Sequence, residues 1–589
     1  MKKNGLLFLY LFFCFLFSYA QQIIVTGTVT DAKTGEPIPG ANVIEKNTSN
    51  GTVTDFDGHY SLEVGANATL VISFMGMQTA EISVNGRTQV DVALNEDMAQ
   101  LDEVVVVGYG TQKKVNLTGS ISSIGSDDLV KNTTSNVSSA LAGRMSGVVT
   151  IQSSGEPGAD IASINIRGLS SLNSNAPLIL VDGVPRTINS LNPNDIQSIS
   201  VLKDAAAAAI YGMRASNGVV LVTTKRGGST KPQLSVNMYS GMQVPTRLPD
   251  FLDSYNYAIL LNEANRNDGV PEAYTNEDLE KYRTGSDPNT HPNTDWIGET
   301  LDNFSLMNSF DFSVRGSYEK VRYFNSLGYL YQDGLYNNNN YKRFNFRSNI
   351  DVDISNHVNL QLDFSGDLEN KNRPGISAGT LFSNIMRTPP TEVNQYTNGG
   401  YSIFSRIPPI NEGGYNKSVD FDFQSRIGLN IDIPFIDGMS VTAQVAYDRS
   451  AGGDNANRDN FVGRNKVFTV PTSYTVYDAT TGEFSISTPQ ERGQTASLFE
   501  SRAQGYQLTT EGIINYQKAF DKHDFGAKIV YSRTASKYHY LSAGRTNFIG
   551  SSIDFFIAGD ESTRTNHNAT YETAILGYAG RLTYAYEVV

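Results

Sequence analysis

Residues 358–368 read Val358-Asn359-Leu360-Gln361-Leu362-Asp363-Phe364-Ser365-Gly366-Asp367-Leu368. Apolar side chains stand at 358, 360, 362, 364 and 368, and polar ones at 359, 361, 363, 365 and 367. Successive side chains of a β-strand point to opposite faces, so this stretch forms one apolar face and one wet, partly charged face. Two further stretches repeat the pattern. Phe344, Phe346, Ile350, Val352 and Ile354 alternate with Arg343, Asn345, Arg347, Asn349, Asp351 and Asp353. Met439, Val441, Ala443, Val445 and Tyr447 alternate with Ser440, Thr442, Gln444 and Asp448. Strands of soluble sandwiches also alternate, but they average about five or six residues, whereas these run to about a dozen. Such strands suit a place between lipid and an aqueous lumen, where each backbone group bonds to a neighbouring strand.

The pattern predicts strands near 233–243, 307–317, 320–332, 341–353, 357–369, 420–432, 439–450, 500–519, 524–540 and 570–588. Their connections alternate in length. Tyr318-Glu319, 354–356, 433–438 and 520–523 are tight, and 333–340 is intermediate. Residues 244–306, 370–419, 451–499 and 541–569 are long. Short periplasmic turns against long outer loops are the pattern of an outer-membrane barrel.

The totals fit an exported β protein. The 589 residues carry a formal charge of -14 and no basic stripe, which argues against a nucleic-acid partner. Lys2, Lys3, the apolar run Leu6 to Phe17 and Ser18-Tyr19-Ala20 make residues 1–20 a secretory signal. A retained anchor is the alternative, although the run is shorter than the ~20 residues that span a bilayer. The single cysteine, Cys14, lies inside that segment, so disulfides and thiol catalysis are not expected in the mature chain. No later apolar run reaches about 18 residues, so no transmembrane helix is predicted. His59, His291, His357, His523, His539 and His567 are scattered, without an HExxH helix or a paired metal spacing. No catalytic constellation, metal or cofactor is expected.

Residues 22–97 read as short strands and turns, the pattern of a small β-sandwich. Within them Asp55-Phe56-Asp57-Gly58 reads as a hairpin turn, since the spacing and closing Glu of a calcium loop are absent. Next comes Asp102-Glu103-Val104-Val105-Val106-Val107-Gly108-Tyr109-Gly110, a strand at a composition boundary with no obvious sheet of its own. The alternative is an ordinary strand within a neighbouring domain. Residues 115–227 read as an α+β domain. It holds an amphipathic helix over 124–142, strands at 161–168 and 177–185, and a helix over Ala205 to Ala209 capped by Asp204 and stopped by Gly212. The turn Asn217-Gly218 then leads into the strand 219–224.

Lys203-Asp204-Ala205-Ala206-Ala207-Ala208-Ala209-Ile210-Tyr211-Gly212, followed by Arg214-Ala215-Ser216-Asn217-Gly218 and the strand to Gly227, resembles the plug domain of SusC/RagA-type TonB-dependent outer-membrane transporters. Leu141 to Val148, Ile164 to Gly168 and Pro177 to Pro185 match other plug phrases in the same order, with Met213 and Ser216 as small departures. Residues 22–97 resemble the carboxypeptidase-regulatory-like domain, a transthyretin-type sandwich. The resemblance implies a mainly β chain: signal peptide (1–20), β-sandwich (22–97), TonB box region (102–114), plug (115–227) and transmembrane antiparallel β-barrel (233–589). About ten strands would close around a backbone radius of about 10 Å, too narrow for a plug of roughly 17 Å radius. The chain is therefore expected to be an amino-terminal fragment of a barrel of about twenty-two strands. A genuine small barrel with an undocked plug is the alternative.

What the resemblance implies for function is active import of an oligosaccharide or oligopeptide, gated by a pull on the TonB box. An outer-surface binding or signalling receptor without transport is the alternative. The box would be Glu103, Val104, Val105, Val106, Val107, Gly108 and Tyr109. The plug motif would comprise Arg144, Arg167, Gly168, Asp182, Gly183, Lys203, Asp204, Tyr211, Gly212, Arg214, Asn217 and Gly218. Arg144 and Arg167 would hold the plug in place, or stabilise local turns. Trp296, Tyr396, Tyr401 and Tyr415 are aromatic candidates for substrate contact in outer loops, with loop packing as the plainer role. The implied partners are a TonB-type energy-transducing protein, a SusD-like surface lipoprotein, the cargo and outer-membrane lipid.

Overall fold

The computed structural model describes residues 22–95, 104–107, 110–113 and 120–586, apart from 47, 49, 75, 76, 170, 172–174, 229, 230, 450–462 and 551. The signal region and Glu103, Gly108 and Tyr109 lie outside these residues. The chain divides into two compact units, Met1–Val105 with Thr111–Leu117, and Val106–Gly110 with Thr118–Val589.

In the first unit, β1 (Gln22–Asp31), β2 (Asn42–Glu45), β3 (Gly51–Val53), β4 (His59–Gly65), β5 (Thr69–Ser73), β6 (Ala80–Ser83) and β7 (Val92–Leu94) build two sheets. Their orders are β4-β1-β7 and β3-β2-β5-β6. Alternation along β4 buries Tyr60, Leu62 and Val64 among Val25, Val29, Val43, Leu70 and Ile72. The Tyr60 hydroxyl donates to the Val90 carbonyl at 2.7 Å, so the buried phenol keeps a partner. Gly27 packs against the same carbonyl, and a Cβ there would stand 1.9 Å from its oxygen. Gly27→Ala is therefore expected to cost about 1–3 kcal/mol by overpacking, read as a lower thermal midpoint of the sandwich. Asp55 closes its hairpin turn by accepting from the amides of Asp57 (3.0 Å) and His59 (2.8 Å), with Gly58 at φ +73°. After the sandwich in sequence, and belonging wholly to neither unit, the valine run forms β8 (Val104–Val107), which pairs with β9 (Gly110–Lys113) in a two-stranded sheet.

The second unit begins with a five-stranded sheet in the order β10-β15-β16-β13-β14. Its members are β10 (Ile121–Gly125), β13 (Leu178–Val181), β14 (Val184–Pro185), β15 (Ile196–Leu202) and β16 (Val219–Thr224), with β11 (Val148–Gln152) and β12 (Ala162–Ile166) as a separate hairpin. Leu129, Val137, Leu141, Ile188, Ile199, Val201 and Val222 share its core. The helix expected over 124–142 is replaced by the end of β10 and two single turns, Ser126–Leu129 and Val137–Ala140. Between them Asn132-Thr133-Thr134-Ser135-Asn136 favours local side-chain bonds over helix, and Asn136 is extended (φ -127°). The alanine helix is also short, Ala205–Ala208. Asp204 caps it by accepting from the Ala207 amide at 2.7 Å, and the 3₁₀ segment that follows kinks at Gly212 (φ 65°).

The membrane wall is one antiparallel sheet of eleven strands. It comprises β17 (Gln233–Gln243), β18 (Ser305–Tyr318), β19 (Val321–Asp333), β20 (Asn340–Ser355), β21 (Val358–Pro374), β22 (Gly414–Asp432), β23 (Met439–Arg449), β24 (Arg464–Thr469), β27 (Ser497–Phe520), β28 (His523–Arg545) and β29 (Thr565–Tyr586). Ten of these cover the ten spans expected from alternation, and β24 is the addition. It continues the position of β23 between β22 and β27: β22 pairs with β23 over 423–432 and with β24 over 414–419. A second hairpin, β25 (Tyr474–Asp478) with β26 (Glu483–Ser487), also lies in the connection expected to be a loop. Among the described residues the sheet is open, with β17 and β29 at its edges. The other outer connections are not plain loops either. They contain helices at 254–267, 276–284, 296–300, 378–387 and 407–411.

Candidate functional site

The turn between β13 and β14 places Asp182 (φ 49°) and Gly183 (φ 86°) in left-handed backbone, which frees the Asp182 carboxylate to reach back. It accepts from the Thr224 amide (3.0 Å) and hydroxyl (2.8 Å), tying the turn to the end of β16. Burial pushes this carboxyl up, but the Arg226, Arg426 and Arg347 guanidiniums outweigh burial and hold it below the usual range. Arg226, two residues beyond β16, crosses to the wall. It donates to Asp351 on β20 and to Asp363 on β21, each at 2.8 Å. Asp363 also accepts from Arg426 of β22 at 2.6 Å, and Arg426 donates to Gln361 and Gln444 at 3.0 Å each. Gln444 in turn donates to Glu511 on β27.

A second fastening starts one residue after β14. Arg186 grips Asp448 of β23 with two bonds, 2.8 Å and 2.7 Å, and both side chains are almost fully buried (4% and 5% exposed). The Pro185 carbonyl accepts from Gln507 of β27 at 2.8 Å. Further round the wall Asn192 donates to Asp311, and Arg347 lies 3.6 Å from Asp195. Asn349 donates to the Thr224 hydroxyl and the Lys225 carbonyl, both at 2.8 Å. Burial pushes the Asp195 carboxyl up, with Arg347 opposing. The inward positions of the wall supply the partners: polar ones such as Asp311, Arg347, Asn349, Asp351, Asp363 and Asp448 stand among buried apolar ones such as Met307, Phe324 and Leu330.

Arg144 and Arg167 do not make these contacts. Among the described residues neither has an ion pair with the wall: Arg144 is half-buried and Arg167 exposed, and both lie at turns within the plug. Arg167 has left-handed backbone (φ 59°), and its amide donates to the Gly147 carbonyl at 2.8 Å. Gly168 follows at φ 90°. The other motif positions shape the plug itself. Lys203 donates to Ser122 (2.7 Å) and to the Ser146 carbonyl (3.0 Å), Asp204 accepts from the Ser120 amide, and Tyr211 packs beside Leu202 and Leu221. Arg214 lies in the 3₁₀ segment, and the Asn217 amide reaches the Ala176 carbonyl at 3.4 Å. At Gly218 (φ 87°) a Cβ would meet the Ile166 methyl at 2.6 Å, so only glycine fits.

The aromatic candidates separate. Trp296 is buried with Leu301, Tyr336, Leu381 and Ile385, and its indole N–H donates to the Pro389 carbonyl at 2.9 Å, so it packs the outer connection and offers no face to a ligand. Tyr396 is half-buried against Tyr477 and Phe484 of the extra hairpin. Tyr401 is half-buried in an isolated bridge with Gln395. Tyr415 donates to Asp554, and Lys417 stands 4.5 Å above its ring. Arg186, Arg226 and Asp448 were not singled out from the sequence. The available signal was their setting, Arg186 directly after Val-Asp-Gly-Val-Pro and Asp448 on the polar face of an alternating strand.

Residues 25–106 match the CarboxypepD_reg-like domain family, and residues 113–219 match the TonB-dependent Receptor Plug Domain family. TonB-dependent receptor P26 of Formosa agariphila is 40% identical over 67% of this chain and 39% of its own length. TonB-dependent receptor P3 of the same organism is 31% identical over 99% and 55%. TonB-dependent receptor SusC of Bacteroides thetaiotaomicron is 33% identical over 79% and 45%. The chain thus spans about half the length of the curated relatives it matches. A solved structure of the RagAB peptide importer in the 'open-open' state superposes with a TM-score of 0.65 at 21% identity, over 82% of this chain and 55% of that one. That likeness concerns the fold. With both domains in order ahead of an alternating membrane wall, the chain belongs to the SusC-like TonB-dependent receptors, a family of outer-membrane β-barrel proteins.

Proposed function

We propose that the protein is the gated importer of a TonB-dependent uptake system, with an oligosaccharide as cargo and an oligopeptide as the second cargo class. The observation that carries this reading is a plug fastened to the inward face of the wall by buried, paired charges, Arg186 with Asp448 and Arg226 with Asp351 and Asp363. A pore held shut in this way needs work to open, and the outer membrane stores no ion gradient to supply it. The work comes through a strand that a periplasmic TonB-type protein adds to its own sheet, with main-chain bonds giving the grip. Each such bond is worth about 0.5–1.5 kcal/mol net, so several loaded in parallel displace part of a plug. Residues 103–109 stand directly ahead of the plug and have the required extended, apolar composition. A SusD-like surface lipoprotein would cover the outer mouth, where the helices of the long connections and half-buried Tyr396, Tyr401 and Tyr415 offer contact surface. The oligosaccharide class is what the sequence resemblance implies, and the oligopeptide class is that of the RagAB peptide importer.

Deleting residues 102–109 in cells is the test. Cargo binding at the cell surface is expected to persist while uptake falls to background. Uptake at the undeleted rate would sink the import mechanism, and a surface binding or signalling receptor would then be the better description.

A further inference from the structure

The outward face of the wall carries a cleft that gating does not use. Asp448 and Gln507 point inward to the plug, so their neighbours Arg449 and Tyr506 point outward, and so does Arg502 four residues before Tyr506. Arg464 stands directly opposite Arg502 on one side and Val419 on the other, which puts all three on one face. Arg449, Arg464, Arg502, Val419, Phe421 and Leu541 line a cleft of about 700 Å³. The three arginines are exposed and have no ion-pair or hydrogen-bond partner among the described residues. The one carboxylate in the lining, Glu500, lies 3.5 Å from Lys466.

Phe421 also lines a second cleft of about 360 Å³, whose walls are Phe310, Tyr329, Phe344, Phe346 and Leu368. Gly366 gives it depth, since a Cβ there would meet the Phe346 ring at 2.7 Å. The height of the pair follows from strand length. Arg449 ends β23, which starts at Met439 beside a short turn, and the apolar band of a tilted strand takes about ten residues. Tyr447 and Tyr506 stack at 6.0 Å where that band ends, in the place of an aromatic girdle. Three unpaired guanidiniums just beyond a girdle, next to an aromatic groove, match an amphiphile with a phosphate head and hydrocarbon chains, because guanidinium forks bind phosphate in two-bond geometry.

We propose that these two clefts together bind one anionic, multi-chain lipid of the outer leaflet, with its phosphate among Arg449, Arg464 and Arg502 and an acyl chain in the groove shared through Phe421. The protein purified from outer membranes would be titrated with diphosphorylated lipid A, with its dephosphorylated form and with inorganic phosphate, and read by native mass spectrometry. The combined variant Arg449→Gln/Arg464→Gln/Arg502→Gln is expected to bind diphosphorylated lipid A at least tenfold more weakly, down to the level of the dephosphorylated form. Phe421→Ala is expected to weaken lipid A while leaving inorganic phosphate unchanged. Heat-modifiable migration confirms that each variant is folded, and if the triple variant is not recovered, single glutamine variants should each lose about threefold. Undiminished lipid A binding by the arginine variants would overturn the proposal. So would equal binding of the dephosphorylated form, or displacement of lipid A by inorganic phosphate at matching concentration, which would mark a free-phosphate site.

Discussion

Arg186→Ala is expected to open the pore without any pull from the periplasm. Removing the guanidinium leaves Asp448 buried on the inward face of β23 without an ion-pair partner among the described residues. Breaking a buried pair by deleting one partner costs about 3–5 kcal/mol, because the remaining charge is left uncompensated. That cost falls on the closed state, so the fraction of open pores should rise roughly a hundredfold or more. Entry of a large antibiotic into cells, or conductance of the purified protein in planar bilayers, measures it. Arg186→Leu combined with Asp448→Leu should restore closure, since a well-packed apolar pair can replace a buried ion pair at little cost. Arg186→Lys should restore it poorly, because a point charge cannot make both bonds of the fork. A tight pore in Arg186→Ala would show that this pair does not govern closure.

Arg226→Ala is expected to be as damaging. Arg226 holds Asp351 and Asp363 at 2.8 Å each and is the largest influence offsetting burial at Asp182. Its loss brings three carboxylates closer to mutual repulsion, with Arg426 still bonded to Asp363 and Arg426 and Arg347 still acting on Asp182. The expected cost is again about 3–5 kcal/mol, and the variant plug should become open to protease and leak large solutes. Its pH dependence has a definite sign. A carboxyl held below its free value stabilises the folded state at every pH above that value, about 4, and the contribution is lost as pH falls through the depressed value. Asp182 therefore fastens the plug throughout the neutral range. In Arg226→Ala the depression is lessened, since Arg426 and Arg347 remain, so release of the plug by acid should begin at a higher pH than in the unaltered protein. Protease sensitivity measured between about pH 3 and 7 checks this, and identical profiles would exclude the role assigned to Arg226.

The wall was legible because its code is local. Each alternating run states which residues face lipid and which face water, and the ten spans read in that way coincide with strands. Where the signal was weaker the reading stopped. Six residues, Arg464–Thr469, are too few to show a period, so β24 reads from sequence as loop. The helices of the outer connections carried end signals that could have been used. Thr275 and Asp278 form a capping box and Gly285 closes the same helix at φ 63°. The fastenings were illegible for a different reason. Arg186 and Asp448 are 262 residues apart, and nothing near either one names the other. Sequence marked Arg144 and Arg167 as candidates by phrase, whereas the cations that cross to the wall are those standing where the chain leaves β14 and β16.

The strand order of the plug sheet decides what a tug on the chain meets first. β10 is both the first plug strand along the chain and an outermost member of its sheet, bonded to β15 alone through the five pairs from Ile121–Leu202 to Gly125–Ser198. Tension arriving from the amino-terminal side therefore loads that short seam before it reaches β13 and β14, whose turn holds Asp182, or the ends of β14 and β16, which lead into Arg186 and Arg226. On the import mechanism proposed above, the seam would be a mechanical fuse, stripped away while the anchored remainder stays seated and re-zipped when the tension drops.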